Sequence, residues 1–90
     1  MVTRDEPKRR ANLRKHGFDF ADVEGVFAGV TVTHEDDRLA YGEQRWVTLG
    51  LLREIVVSMV HAERGADIHM ISMPKATRRE RESYFESIAN

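Results

Sequence analysis

The side chains that could do chemistry in this 90-residue chain are four histidines, fourteen lysines and arginines, and fifteen carboxylates, with no cysteine among them. The lack of cysteine removes disulfides, zinc-finger ligand sets and thiol nucleophiles together. It also fits a reducing cytoplasm. His16, His34, His61 and His69 show no HxH or HxxxH spacing, so no metal site is read from them. His61 and His69 fall on adjacent expected strands and would face each other if the register allowed. Glu35-Asp36-Asp37 carries the charge of a cation site but lacks the alternating ligands and central glycine of a calcium loop. It reads as a solvated turn. There is no GxGxxG, P-loop, GxSxG or HExxH pattern, so no cofactor is expected. What remains is proton transfer and charge stabilisation. Cutting RNA without a metal needs cations around the scissile phosphate, one group to take the 2′-hydroxyl proton and another to protonate the leaving oxygen. Arg, Lys, His and Glu supply all of these.

The net charge of −1 is unevenly spread. Residues 1–16 carry Arg4, Lys8, Arg9, Arg10, Arg14 and Lys15 against Asp5 and Glu6, a net +4. Residues 17–44 are net −6, residues 45–73 balance, and residues 74–90 are net +1. If the two ends of the chain meet, they make a basic surface that attracts phosphates. No apolar run approaches the ~20 residues that span a bilayer, and MVTRDEPKRR lacks the apolar stretch of a signal peptide. Neither a membrane partner nor a second domain is expected.

The elements that must position these groups follow from pattern. Asp5-Glu6-Pro7 starts a helix over residues 7–16, and Gly17 stops it in a left-handed cap behind the cationic Lys15-His16. Lys8, Asn12 and His16 share one face of that helix. Asp19 caps a second helix over 19–28, with Phe18 and Val23 placed as a hydrophobic staple. Strands follow at 30–34, 45–52, 54–63 and 67–73, with turns at Leu52-Arg53-Glu54 and RGAD and a stop at Pro74. Thr77 and Glu80 match a capping box that opens a last helix over 78–89. Short turns imply an antiparallel meander. The expected fold is α+β, with all helices on one face of a four-stranded antiparallel sheet. The expected core contains Phe20, Val23, Phe27, Val47, Leu49, Val57, Ile71 and Phe85.

Beyond these patterns, DEPKRRANLRKHGFDFADVEGVF resembles the N-terminal signature of the BrnT toxins. The rest follows in order: Gly42-Glu43-Gln44-Arg45, Leu49-Gly50, Val60-His61-Ala62-Glu63-Arg64, Ile71-Ser72, then Ala76-Thr77-Arg78-Arg79-Glu80 and Tyr84. The resemblance covers about residues 4–85. It implies a RelE-like fold and a metal-independent endoribonuclease toxin that blocks translation. It also implies a BrnA-type antitoxin with a ribbon-helix-helix part, a complex that represses its own operon, and contact with DNA only through that antitoxin. A heterotetramer with two copies of each chain is the expected unit. The chain departs from the family pattern at Arg4, where Trp is common, and at His69 and Pro74, where arginines are common; Lys75 stands one position beyond the second.

With that resemblance, Arg64 is the first candidate for stabilising charge on the phosphate, since it ends a strand and recurs in the family pattern. His61 or His16 is the candidate for proton transfer, with Glu43 the alternative. Lys8, Lys15, Arg45, Lys75 and Arg78 are the candidates for holding RNA. Two other readings compete. A degraded toxin would keep only antitoxin docking and operon regulation. A nucleic-acid-binding domain without cleavage would need an exposed aromatic platform, which the few aromatics here do not suggest.

Overall fold

The structure, a computed structural model, describes residues 1–36 and 42–89. The middle of the EDDRLAYGE turn, including Asp37, lies outside the described residues. The elements are β1 (Val2–Thr3), α1 (Glu6–His16), a 3₁₀ turn (Phe20–Asp22), α2 (Val23–Phe27), β2 (Val32–Asp36), β3 (Arg45–Leu52), β4 (Ile55–Arg64), β5 (Asp67–Ser72) and α3 (Arg78–Ile88). The sheet has five strands in the order β1-β5-β4-β3-β2. Four of them form the expected antiparallel meander. The fifth, β1, is a correction: it pairs parallel with β5 through Val2↔Ile68 and Thr3↔His69. A strand of two residues has no periodicity to betray it.

Local chemistry sets the boundaries. Pro7 occupies the first turn of α1, and Gly17, at φ 78°, donates its N–H to the Leu13 carbonyl. Asp19 caps the next segment by accepting the Ala21 N–H at 2.9 Å. That segment is not the single helix expected over 19–28 but the 3₁₀ turn followed by the five residues of α2. Arg9 clamps Asp19 through Nε at 2.7 Å and Nη2 at 2.8 Å, which ties α1 to this turn. The capping box of α3 is complete, with Thr77 Oγ1 accepting the Glu80 N–H and Glu80 Oε1 accepting the Thr77 N–H. Arg53 and Glu54 both take positive φ, 47° and 70°, in the two-residue turn between β3 and β4.

The helices do not share one face. Neighbouring strand residues point to opposite sides, and both sides of β3 and β4 are apolar. Leu52, Val57, Met59 and Met70 pack with Phe18, Phe20, Val23 and Val26. Val47, Leu49 and Val56 pack with Tyr84 of α3. The sheet is therefore covered on one side by the 3₁₀ turn and α2, with α1 against β5, and on the other by α3. The two basic ends of the chain meet different parts of the sheet rather than each other. Gly50 permits the close approach of α2: a Cβ there would lie 2.6 Å from Val26 Cγ1. Five of the eight expected core residues are buried, while Phe27 and Ile71 are half-buried and Phe85 is exposed. α3 turns Tyr84 inward instead, where its hydroxyl donates to the Val30 carbonyl at 2.7 Å. No described helix is long and apolar enough to cross a membrane.

Candidate active site

Polar side chains gather at the end of the sheet where β3 and β5 begin and β4 finishes. The register places Asp36, Arg45, Ala62, His69 and Thr3 in one row across all five strands. Residues directly opposite one another share a face. By alternation with Val47 and Leu49, it is the face that α3 covers farther along. The fully buried Ala62 forms a low floor between Arg45 and His69. Arg64 stands two residues beyond Ala62 on the same side, and its Nη2 donates to Glu43 Oε1 at 3.2 Å. Both remain open to solvent, at 55% and 41% side-chain exposure. The Arg64 hydrogen bond holds the Glu43 carboxyl below its ordinary range, assisted by the charges of Arg64, Arg45 and His69. His69 is itself anchored: Thr3 Oγ1 lies 2.8 Å from its Nδ1. Asp36, which the sequence suggests is part of a solvated turn, is instead buried at the end of β2 opposite Arg45.

A second polar feature lies alongside. Lys8, Ala11, Asn12, Lys15 and His16 of α1 line an open cleft of about 220 Å³ together with Ile71 and Ser72 of β5. The one-face placement of Lys8, Asn12 and His16 is as expected. Asn12, however, is buried and tied to backbone, so the lysines and His16 are what the cleft offers to an anion. Ile71 is two residues along β5 from His69, about 7 Å at strand rise. The cleft therefore lies along the same strand as His69, past the bulge that shifts the β4–β5 register.

Across residues 5–80 the chain matches the model of a family described as the ribonuclease toxin, BrnT, of type II toxin–antitoxin systems. The chain belongs to the BrnT family. No curated protein sequence matches it. The matched span contains Glu43, Arg64 and the whole α1 cleft, but not Thr3.

In this BrnT protein the remaining candidates are dispersed. His61 is on the opposite side of β4 from the polar row, because the register sets it against Met70 and not against His69. The two histidines on these neighbouring strands therefore do not pair. His61 is only 2% exposed, lies edge-on to Phe27, and binds Thr48 Oγ1 through Nε2 at 2.8 Å. Burial pushes its pKa down, with Glu63 opposing weakly. Buried and hydrogen-bonded in this way, His61 is not open to the face that carries Glu43 and Arg64. His16 is in the cleft, away from Glu43. Lys75 is exposed just past β5, where the chain makes one more bridge to Val57. Arg78 is exposed at the start of α3 and paired with Glu82 at 3.1 Å. Among the described residues, no three histidines or carboxylates converge as metal ligands. Sequence reasoning does not place His69 beside Thr3, because the hydroxyl it meets comes from the unforeseen β1.

Proposed function

We propose that this BrnT-family toxin cleaves RNA without a metal at the Glu43–Arg64 cluster and is neutralised by a BrnA-type ribbon-helix-helix antitoxin. The observation that carries the reading is the Glu43 carboxylate 3.2 Å from the Arg64 guanidinium on an open sheet face, with Arg45 and His69 close enough to bias it. A carboxylate can take the proton of the ribose 2′-hydroxyl. Arg64, when it turns from Glu43 to a phosphate oxygen, stabilises the charge that builds in the transition state and frees Glu43 to act as base. Arg45 adds positive charge to the same end of the sheet. Lys8, Lys15 and His16 in the cleft hold the flanking RNA backbone, and Lys75 and Arg78, both exposed, are further positioning charges at a separate part of the sheet. Phosphate contacts of this kind position a strand without reading its sequence.

The partner reading rests on the family, whose members are toxins of type II toxin–antitoxin systems. We expect the antitoxin to be encoded beside the toxin, to form a heterotetramer with two copies of each chain, and to supply the DNA contacts by which the complex represses its operon. The test is RNA cleavage by purified, antitoxin-free protein in EDTA, with and without ribosomes. Cleavage that leaves 2′,3′-cyclic phosphate ends and is lost in Glu43→Gln supports the reading. Activity that appears only with added divalent metal ends the metal-independent reading. A folded wild type that cuts nothing under either condition points to a degraded toxin.

A further inference from the structure

We propose that His69 is the proton donor to the leaving 5′-oxygen in this cleavage, and that Thr3 of β1 is the residue that aims it. The inference rests on the reading of the Glu43–Arg64 cluster as the cleavage site. β1 pairs with β5 at only two positions, and one of them sets Thr3 beside His69. Their side chains meet, with Thr3 Oγ1 2.8 Å from Nδ1. A hydroxyl on one ring nitrogen fixes the orientation of the imidazole and leaves the other, Nε2, for proton transfer. Among the described residues Nε2 has no hydrogen-bond partner.

The position suits an acid that faces a base. His69 is on β5 and Arg45 on β3, with Ala62 of β4 between them in the same row. Two strand spacings are about 10 Å, and the intervening side chain is a methyl group. Glu43 precedes β3 on the far side of this floor from His69, and Arg64 rises from the strand between. A phosphodiester seated over Ala62 therefore has a carboxylate on one side, an imidazole on the other and a guanidinium alongside. The charged groups on the same side of the sheet as His69 are Glu43, Arg45 and Arg64, with Asp36 farther along the row, together with Asp67, two residues back on β5, which pairs with the Met1 amine at 3.5 Å. On α1, Lys8, Lys15 and His16 face the cleft farther along the strand.

In the step itself the 2′-hydroxyl gives its proton to the Glu43 carboxylate, and the 2′-oxygen bonds to phosphorus. The bond from phosphorus to the 5′-oxygen breaks. The proton on His69 Nε2 passes to that oxygen, leaving a 5′-hydroxyl and a 2′,3′-cyclic phosphate. Glu43 ends protonated and His69 neutral, and exchange with solvent restores both. No oxidant, reductant or further reactant is needed.

The test compares two RNA dinucleotide linkages, one with the ordinary 5′-oxygen and one with sulfur in the bridging 5′ position. A thiolate leaves without protonation. His69→Ala is expected to slow cleavage of the oxygen substrate by about 100-fold or more and to leave the sulfur substrate within a few-fold of wild type. The same variant loses the alkaline limb of the pH–rate profile. Thr3→Val, which removes only the aiming hydroxyl, gives a smaller loss confined to the oxygen substrate. Normal sulfur cleavage shows that the variant is folded. If His69→Ala slows both substrates alike, or neither, His69 is not the acid, while the Glu43–Arg64 site stands. If the wild type cleaves neither linkage, the cleavage reading falls and His69 with it.

Discussion

Asn12 and Met73 are joined as two strands would be. Asn12 Oδ1 accepts the Met73 N–H at 2.8 Å, and Nδ2 donates to the Met73 carbonyl at 3.0 Å. The same Nδ2 also donates to the Phe18 carbonyl at 3.0 Å. One helical side chain thus closes the sheet edge just past β5 and fastens the chain that leaves α1. This matters because α1 has little else to bury: Asn12 is its one buried residue.

Replacing Asn12 should therefore be costly. Asn12→Ala strands a buried amide and two buried carbonyls, each worth about 1–3 kcal/mol when left unpaired. A destabilisation of at least about 2 kcal/mol is expected, which lowers the melting temperature of a domain this size by roughly 8–16 °C. Asn12→Asp should be worse, since it turns a negative oxygen toward two carbonyls. Thermal unfolding followed by circular dichroism checks both. An Asn12→Ala protein that melts with the wild type would show that the interaction is dispensable.

His61 should make stability depend on pH. Its Nε2 ends a chain of hydroxyls, Thr33 to Thr48 to His61, each link 2.8 Å, while its Nδ1 is buried without a partner. Desolvation lowers its folded pKa below the ordinary value of 6.5. Between the two pKa values the unfolded chain binds the extra proton, so stability is full above about pH 6.5 and declines as the pH falls below it. The slope approaches about 1.4 kcal/mol per pH unit for one proton. Asp19, held below its ordinary range by its hydrogen bonds to Arg9, contributes stability that is lost only at more acidic pH. Urea unfolding at pH 7 and pH 5 should show a smaller decline in His61→Gln than in the wild type. Equal declines would mean that another group controls this window.

The elements legible in the sequence are those whose signals are local. The strand at 45–52 can be read to the residue, and the capping box and Gly17 cap set α3 and α1 to within a residue or two. What escapes such reading depends on partners distant in the chain. β1 exists because β5 offers it an edge 66 residues away. The split of the helices between two faces is encoded in β3 and β4, where adjacent apolar residues such as Val56 and Val57 serve different layers; a continuous apolar run of this kind marks a strand buried on both sides. In the site, Arg64 and Glu43 are recognisable by type, but their pairing spans the turn and two strands. Asn12 reads as part of a solvent-facing stripe because a buried asparagine and an exposed one have the same spacing.

The cleft beside α1 predicts a particular kind of binding defect. Lys8 and Lys15 are exposed and act as point charges, so each would release counterions when it meets a phosphate. Replacing either with alanine should weaken binding of single-stranded RNA and reduce the salt dependence of log K by about 0.7 for each phosphate no longer neutralised. The rate from the bound state should change little, since these charges position the strand. Fluorescence anisotropy across a salt series, with a cleavage-defective Glu43→Gln background, measures the slope. An unchanged slope would place the RNA elsewhere on the surface.

Arg64 carries the sharpest expectation for toxicity. Its ion pair is with Glu43, and both are exposed, so the pair adds little to stability. Its value is electrostatic: a guanidinium rooted on the last residue of β4 has only to turn from Glu43 to meet the charge that appears on the phosphate. Removing such a donor commonly costs about 100–1,000-fold in rate. Arg64→Ala should therefore abolish growth arrest on induced expression while the protein still folds and still co-elutes with its antitoxin. Arg64→Lys should recover only part of the activity, because a point charge cannot grip two phosphate oxygens as a planar fork does. Arg64→Ala also frees Glu43 from its partner, so the acidic limb of the pH–rate profile should shift upward in the residual activity of that variant. Growth arrest that persists in Arg64→Ala would remove Arg64 from the site. Loss of arrest accompanied by loss of antitoxin binding would mean that the substitution had damaged the fold rather than the chemistry.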